Sequence, residues 1–310
     1  VPTPSHARRI VAVVVTFNRL SLLQGLLERL RRTPDVTEIV VVDNASTDGT
    51  GEWLAGQDAD GAVPLRAVTL GDNRGGAGGF HEGMRIGLER DADLLWLMDD
   101  DGMPDDDCLA LLLEHDGTLD FWGPVVVDQD DAERLVFPIR LPGGTTVVHD
   151  LADVRAAATD GRIDDIVIPF NGVLVTRDLA ERIGLPRAEF FIWGDDHEYR
   201  LRAEKAGARI ATVVDATVRH PSVGSLGTPM MFGRTTYNHS PSDLKHYCMA
   251  RNNVVNLRTY RGLPHVLAFI VKTVWFYAFT RPSPKRLALS ARGIGAGLRN
   301  DFTGHGRFLA

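Results

Sequence analysis

The sequence predicts an α/β fold, a Rossmann-like, mostly parallel sheet flanked by helices, with a mainly helical region after it. Three observations predict it: four short runs of β-branched and apolar residues early in the chain, stretches of helical spacing between them, and polar residues directly after every run. Continuous apolar strands belong to sheets covered on both faces, and their alternation with helices is the pattern of a doubly wound sheet.

Ile10 to Val15 is the opening strand, and Leu20 to Leu30 sets leucines at helical spacing behind it. Ile39 to Val42, Leu65 to Leu70 and Leu94 to Met98 repeat the strand pattern, with helices expected near Thr50 to Leu54 and Phe80 to Arg90. Farther on, Phe121 to Val127 and Ile166 to Val175 read as strands, and Asp196 to Ala206 as an exposed helix stopped by Gly207. After Ile210 to Val214 the periodicity fades, and Ser222 to Pro241, rich in Gly, Ser, Thr and Pro, reads as a long functional or mobile loop.

At 310 residues, 44% of them hydrophobic and 24% charged, the chain can bury a full α/β core and a smaller appended part. Its two cysteines, Cys108 and Cys248, stand far apart with no Cys/His spacing around them, which argues against a disulfide framework or a structural zinc. A reducing cytoplasm is the expected compartment, and Val1 to Arg9 lacks the apolar run of a secretory signal. The net charge of −7 hides an asymmetry: Arg251 to Ala310 carries ten Lys/Arg and one acid, Asp301, for a net of +9, against −16 for the rest. The acidic body argues against nucleic-acid binding, and the basic tail points to an anionic partner.

Ligands of doubly wound sheets bind beyond the carboxyl ends of the strands. There the first strand delivers Thr16, Asn18 and Arg19, the second Asp43 and Asn44, the third Asp72, Asn73 and a glycine run, and the fourth Asp99, Asp100 and Asp101. A single Asp after a strand is ordinarily a turn or a helix cap, whereas four polar strand ends in succession describe one site. Alternation along an extended chain would send Asp99 and Asp101 to one side and Asp100 to the other. Two convergent carboxylates suit Mg2+ or Mn2+ with positions left for phosphate oxygens; a solvated acidic turn, the reading given to Asp105 to Asp107, is the alternative.

The segment Gly71 to Phe80 lacks the Lys-Ser/Thr of a Walker A loop and puts His81 where a dinucleotide fingerprint needs its third glycine. Its glycines fit either a close backbone approach to a ligand before a helix start or a flexible turn. Asp195 and Asp196 stand beside Phe190, Phe191 and Trp193 at the start of a helix. Acids there are ordinarily dipole partners, but apolar neighbours raise a carboxylate's proton affinity towards that of a general base. His220, in Arg219-His220-Pro221, ends another strand, where a lone histidine is either structural or part of the site.

These segments together resemble the family 2 glycosyltransferases of the GT-A fold. Val13 to Arg19 looks like that family's opening strand and turn, Val42 to Thr50 like its nucleotide-binding strand end, and Asp99-Asp100-Asp101 like its DxD metal motif. Asp195-Asp196 falls where the family has its acidic pair, usually Glu-Asp, and His220 where many members have a third metal ligand. The resemblance implies Mn2+ or Mg2+ on Asp99, Asp101 and His220, with Asp100 in the same motif, and Asp43 on uracil or ribose with Thr16, Asn18 and Arg19 nearby. It further implies a donor pocket lined by Asn73, Gly75 and Gly76, Trp193 as a face for sugar stacking, and Asp196 as base beside Asp195.

Asn73 to Phe80, Trp96 to Gly102 and Phe170-Asn171-Gly172 look most like the galactofuranosyltransferases that start actinobacterial cell-wall galactan. That likeness implies an inverting enzyme with UDP-galactofuranose as donor and a polyprenyl-diphosphate-linked rhamnosyl-N-acetylglucosamine as acceptor. Related rhamnosyltransferases share segments like Tyr247 to Asn252, so dTDP-rhamnose is the alternative donor. A nucleotidyltransferase would need a lysine-containing glycine loop where Thr16-Phe17-Asn18-Arg19 stands. The expected division is a catalytic domain over 1–220, an acceptor-side loop and helix over 221–260, and a membrane-associating region over 261–310. Leu263 to Phe279 is mostly apolar but short, and contains His265 and Lys272, whereas a spanning helix needs about 20 apolar residues. It is expected to lie in the interface of the inner membrane face, or pack on the core, with Arg281, Lys285, Arg286, Arg292 and Arg299 towards anionic headgroups.

Overall fold

The computed structural model describes residues 8–57, 61–224 and 227–309. The chain divides into two compact units, Val1–Pro186 with Arg202–Ser222, and Arg187–Leu201 with Val223–Ala310.

In the first unit β1 (Ile10–Thr16), β2 (Val36–Asp43), β3 (Leu65–Thr69) and β4 (Leu94–Asp99) are parallel, in the order β3-β2-β1-β4. The connections carry α1 (Leu20–Arg32), α2 (Thr50–Ala55) and α3 (Gly75–Glu89). β1 is buried throughout because helices cover both of its faces. Ile10, Ala12 and Val14 join Leu23, Leu26, Leu27 and Leu30 of α1 in one cluster. The opposite face, with Val13 and Val15, meets α3. There Gly79, Gly83 and Gly87 lie so close to the sheet that an added Cβ would stand 2.4 Å from Val15, Val13 and Leu95 respectively.

That packing moves the expected helix start forward and accounts for Gly79, the last glycine of the run. The helix starts at Gly75, five residues before the expected Phe80, and the i, i+4 spacing of Gly79, Gly83 and Gly87 is a helix-to-sheet contact, not a loop. Glycine inside a helix costs about 1 kcal/mol against alanine, which the close approach of the backbone offsets.

Beyond β4 the sheet is mixed. It continues through β5 (Met103–Pro104), β6 (Phe121–Asp128), β7 (Arg134–Arg140), β8 (Val147–Asp150), β9 (Arg162–Asp164), β10 (Asn171–Thr176) and β11 (Ile210–His220), with α4 (Cys108–Leu113), α5 (Leu151–Ala157) and α6 (Arg177–Ile183) between strands. β10 is antiparallel to both β4 and β6, while β11 runs parallel to β6. The last strand is longer than Ile210 to Val214 and ends on His220. Gly172 has φ +81°, and a Cβ there would meet Val218 at 2.9 Å, so only glycine fits the start of β10.

In the second unit α7 (Asp195–Lys205), which crosses the unit boundary after Leu201, is followed by a hairpin of β12 (Thr228–Met230) and β13 (Thr235–Tyr237). The hairpin occupies part of the segment expected to be loop, in which Ser225 and Leu226 lie outside the described residues. Three helices complete the unit: α8 (Asp243–Tyr260), α9 (Leu263–Trp275), prolonged by a π-helical turn over Phe276–Thr280, and α10 (Pro284–Arg299). The basic tail is thus mostly helix. Ser283 caps α10 by accepting from the Arg286 backbone N–H, and Pro284 opens it. Gly293 and Gly297 bring α10 against α8, since a Cβ on either would press on the carbonyl of Tyr247 or Arg251.

Candidate active site

The carboxyl ends of β1, β4 and β11 meet in the first unit. β4 ends at Asp99, and Asp100 and Asp101 form a turn, so strand alternation does not govern where the triplet points. Asp100 does not turn away from the site. It is 4% exposed, accepts from the Thr16 hydroxyl at 2.7 Å and pairs with the Arg19 guanidinium at 3.0 Å. The same guanidinium pairs with Asp101, so Arg19 serves the acids directly. Burial pushes the Asp100 carboxyl above its usual range, against the opposing hold of Thr16 and Arg19. Burial acts the same way on Asp101, but His220 and Arg19 outweigh it and hold that carboxyl below the ordinary range.

His220, 6% exposed, is oriented from behind. Its Nδ1 lies 2.7 Å from the Pro221 carbonyl oxygen, which assigns the ring N–H to that side and leaves Nε2 with its lone pair towards Asp101. Nε2 stands 3.2 Å from Asp101 Oδ1. Two acceptors at that distance need a proton on the imidazole or a cation between them. Burial lowers the imidazole's proton affinity, yet the Asp101 carboxylate raises it overall. Neighbouring ligands on an octahedral cation with bonds of about 2.0–2.1 Å lie about 2.9 Å apart, so the pair also fits a divalent ion. Of the two donors, the carboxylate is the one that suits Mg2+ or Mn2+. Among the described residues no three His, Cys, Asp or Glu side chains close into a complete cluster. The pair whose geometry fits part of a coordination shell is Asp101 with His220.

The ends of β1 and β2 are tied together by side chains. Asn18, in the left-handed region at φ +54°, accepts from the Thr47 backbone N–H at 2.7 Å, and its own N–H donates to Ser46. Asp43 is fully buried; Oδ1 accepts from the Ser46 N–H at 3.0 Å, while Oδ2 is buried with no partner among the described residues. An unpaired carboxylate oxygen in such a place has unused acceptor capacity for a donor on a bound molecule. Asn73 accepts from the Gly75 N–H at 2.8 Å and so closes the first turn of α3. Gly75 is buried, and Gly76 has open space where a side chain would be.

Asn44, placed with Asp43 among the polar strand ends, was given no role of its own. Its amide takes the Arg74 N–H at 2.9 Å and gives to the Gly75 carbonyl at 2.7 Å, clasping the start of α3 to the end of β2. Its position directly after Asp43 was the available signal.

The acidic pair belongs to the second unit, where Asp195 is buried and Asp196 half-buried. Burial raises the proton affinity of both carboxyls, and the Asp196 charge adds to the shift of Asp195. Asp196 Oδ1 accepts from the His197 N–H at 2.7 Å. Trp193, half-buried and at φ +66°, stands two residues before the pair. Three side chains of α8 that were not read as site residues, Arg251, Asn252 and Asn256, bind the backbone leading into it. Polar residues inside a helix read as a solvated face, so nothing in their spacing announced them.

Residues 11–141 match the family model described as glycosyl transferase family 2. The chain is 34% identical over 292 residues to "Galactofuranosyltransferase GlfT1" of Mycobacterium tuberculosis, covering 90% of this chain and 91% of the relative. To the protein of the same name from Mycolicibacterium smegmatis it is 32% identical over 257 residues, covering 80% and 82%. Among solved structures, a mannosyltransferase from Pyrobaculum calidifontis in complex with GDP-Man and Mn2+ superposes with a TM-score of 0.52 at 19% identity, covering 100% of this chain and 80% of that one. The chain belongs to glycosyl transferase family 2: it is a glycosyltransferase of the GT-A fold.

Proposed function

We propose that the chain transfers galactofuranose from UDP-galactofuranose to a polyprenyl-diphosphate-linked rhamnosyl-N-acetylglucosamine in cell-wall galactan synthesis, with inversion and with a divalent cation. The observation that carries the donor reading is the 34% identity to a galactofuranosyltransferase along 90% of the chain. The Asp101–His220 pair and the Mn2+ named with the mannosyltransferase support a cation. Mn2+ or Mg2+, held by Asp99, Asp101 and His220, would neutralise charge on the departing diphosphate. Asp43 would take a donor group of the uridine on its unpartnered oxygen, with Thr16, Asn18 and Arg19 fixing the strand ends around it. Asn73, Gly75 and Gly76 would line the donor side, and Trp193 would face the sugar.

Asp196 is the base in this reading, because it is the more accessible of the pair and burial has raised its proton affinity. It takes the acceptor hydroxyl proton while that oxygen bonds to the anomeric carbon and the bond to the diphosphate oxygen breaks on the opposite face. One displacement gives inversion and leaves no glycosyl-enzyme bond.

A lipid-linked acceptor would be met at the inner membrane face. Leu263, Leu267, Val271 and Val274 recur along one side of α9 and are 67%, 62%, 51% and 46% exposed. The stretch Leu263–Thr280 has a mean hydropathy of 1.4 over 18 residues, with 22% of it buried within the protein, and by length and composition alone it could cross a membrane. Its other side is already packed, with Thr273 bonded to the Tyr237 hydroxyl at 3.0 Å and Phe276 stacked on Tyr237. Packed on one side and apolar on the other, with Arg261, Lys272 and Arg281 along it, the helix suits the plane of an anionic interface.

A donor screen with Mn2+ and a synthetic polyprenyl-diphosphate disaccharide, read by product mass, tests the reading. A hexose from UDP-galactofuranose and no deoxyhexose from dTDP-rhamnose is expected; the reverse makes the protein a rhamnosyltransferase.

A further inference from the structure

The backbone just before the acidic pair is held in conformations that peptides avoid. Phe191 has φ +67° and ψ −67°, and the Ile192 N–H donates to the Phe190 carbonyl at 2.8 Å, which together make a γ-turn of the strained hand. Trp193 follows at φ +66° and Gly194 at φ +87°. Left-handed conformations at phenylalanine and tryptophan persist only where surrounding contacts over-determine them.

Those contacts come from one stripe of α8. Asn252, fully buried, puts Nδ2 within 3.0, 3.1 and 2.6 Å of the carbonyls of Phe190, Ile192 and Trp193. One turn on, Asn256 donates to the Gly194 carbonyl at 2.8 Å, and one turn further the Tyr260 hydroxyl donates to Glu198 in the first turn of α7 at 2.6 Å. The i, i+4, i+8 spacing places all three on one helix face. Arg251 braces the stripe, donating to Asn252 Oδ1 at 2.9 Å and to the Phe190 carbonyl at 2.7 Å.

The arrangement spends stability. Asn256 keeps Oδ1 buried with no partner among the described residues, and Arg251, 0% exposed, is satisfied by carbonyls and ring contacts. An apolar stripe would pack this face without either cost, but it could not hold four carbonyls in a strained order. We infer that Asn252, Asn256 and Tyr260 of α8 are positioning residues that fix the Phe190–Gly194 backbone and, through it, the direction of the Asp195–Asp196 carboxyls. This rests on the reading of that pair as the catalytic base.

The experiment compares Asn252→Ala, Asn256→Ser and Tyr260→Phe with Asp195→Asn and Asp196→Asn, measuring kcat, donor KM, UDP affinity by calorimetry, and the pH dependence of kcat. Displacement of a catalytic group by about 1 Å costs about 10²-fold in rate. N252A is therefore expected to lose about that factor in kcat, and N256S and Y260F about tenfold. KM and UDP affinity should stay within about twofold, and the midpoint of the kcat–pH curve should move, because the altered carboxyl environment is what changes. Should N252A not fold, N256S and Y260F carry the same expectation with smaller deletions. Folded variants with wild-type kcat, or with an unmoved pH midpoint, overturn the inference while leaving the base assignment intact. Undiminished turnover in both D195N and D196N instead removes the base assignment itself, whatever the α8 variants do.

Discussion

The Thr16 hydroxyl donates to Asp100 Oδ2 across 2.7 Å, joining the end of β1 to the turn after β4 beneath the Arg19 guanidinium. Asp100 is consequently part of the foundation on which Asp101 stands. Thr16→Val is expected to lower the unfolding free energy by about 1–3 kcal/mol in urea denaturation, the cost of leaving a buried acceptor short of a partner. Asp100→Ala should lose stability as well as transfer, and Asp101→Ala should lose transfer with less change in stability.

The glycine stripe of α3 yields a prediction opposite in sign to helix propensity. Gly83→Ala would gain about 1 kcal/mol of propensity, but its Cβ would meet Val13 at 2.4 Å. Overpacking of this kind costs about 1–3 kcal/mol, so a net loss of stability is expected, relieved when Val13→Ala is added. The thermal midpoints of the two single variants and the double variant measure it.

The parallel part of the sheet was legible because β1, β2 and β4 are mostly apolar and end on polar residues. The remainder was not. Gly79 reads alike whether glycine serves a turn or a tight helix-to-sheet contact, and only the neighbouring Val15 decides between them. Strand alternation misplaced Asp100 because the strand stops one residue earlier. The antiparallel insertion of β10 between β4 and β6 depends on long-range pairing that no local pattern encodes. Thr16, Arg19, Asp100, Asp101 and His220 meet at one set of strand ends.

The proposed base and its neighbour would couple activity to stability through pH. Their folded-state pKa values are raised, Asp195 first by burial, then by the Asp196 charge. Between the ordinary aspartate value of about 4 and the raised values, the folded state binds more protons than the unfolded, so stability falls as pH rises. A base must be deprotonated, so kcat rises across the same window. Asp196→Asn is expected to lose about 10²–10⁴-fold in kcat while retaining UDP binding, and Asp195→Asn to raise Tm at neutral pH more than at pH 4. Calorimetric scans at both pH values check the sign.

Vesicle co-sedimentation tests the exposed face of α9. Wild type should pellet with anionic vesicles more than with neutral ones, and less in high salt. Leu267→Asp with Val271→Asp should abolish pelleting while sparing transfer to a short, water-soluble acceptor. Lys285 and Arg286 are poor sites for charge reversal because both pair with Asp243.

Metal-dependent transfer at the strand ends is tested most directly by titrating Mn2+ into EDTA-treated protein while following bound Mn2+ by electron paramagnetic resonance and transfer from UDP-galactofuranose in the same samples. Turnover is expected to be absent in excess EDTA and to return in step with bound Mn2+. Asp99→Ala, Asp101→Ala and His220→Ala should weaken both together, since each removes one of the three side chains proposed to hold the cation. Undiminished wild-type turnover in excess EDTA, or Mn2+ binding unchanged in Asp101→Ala and His220→Ala, would contradict it.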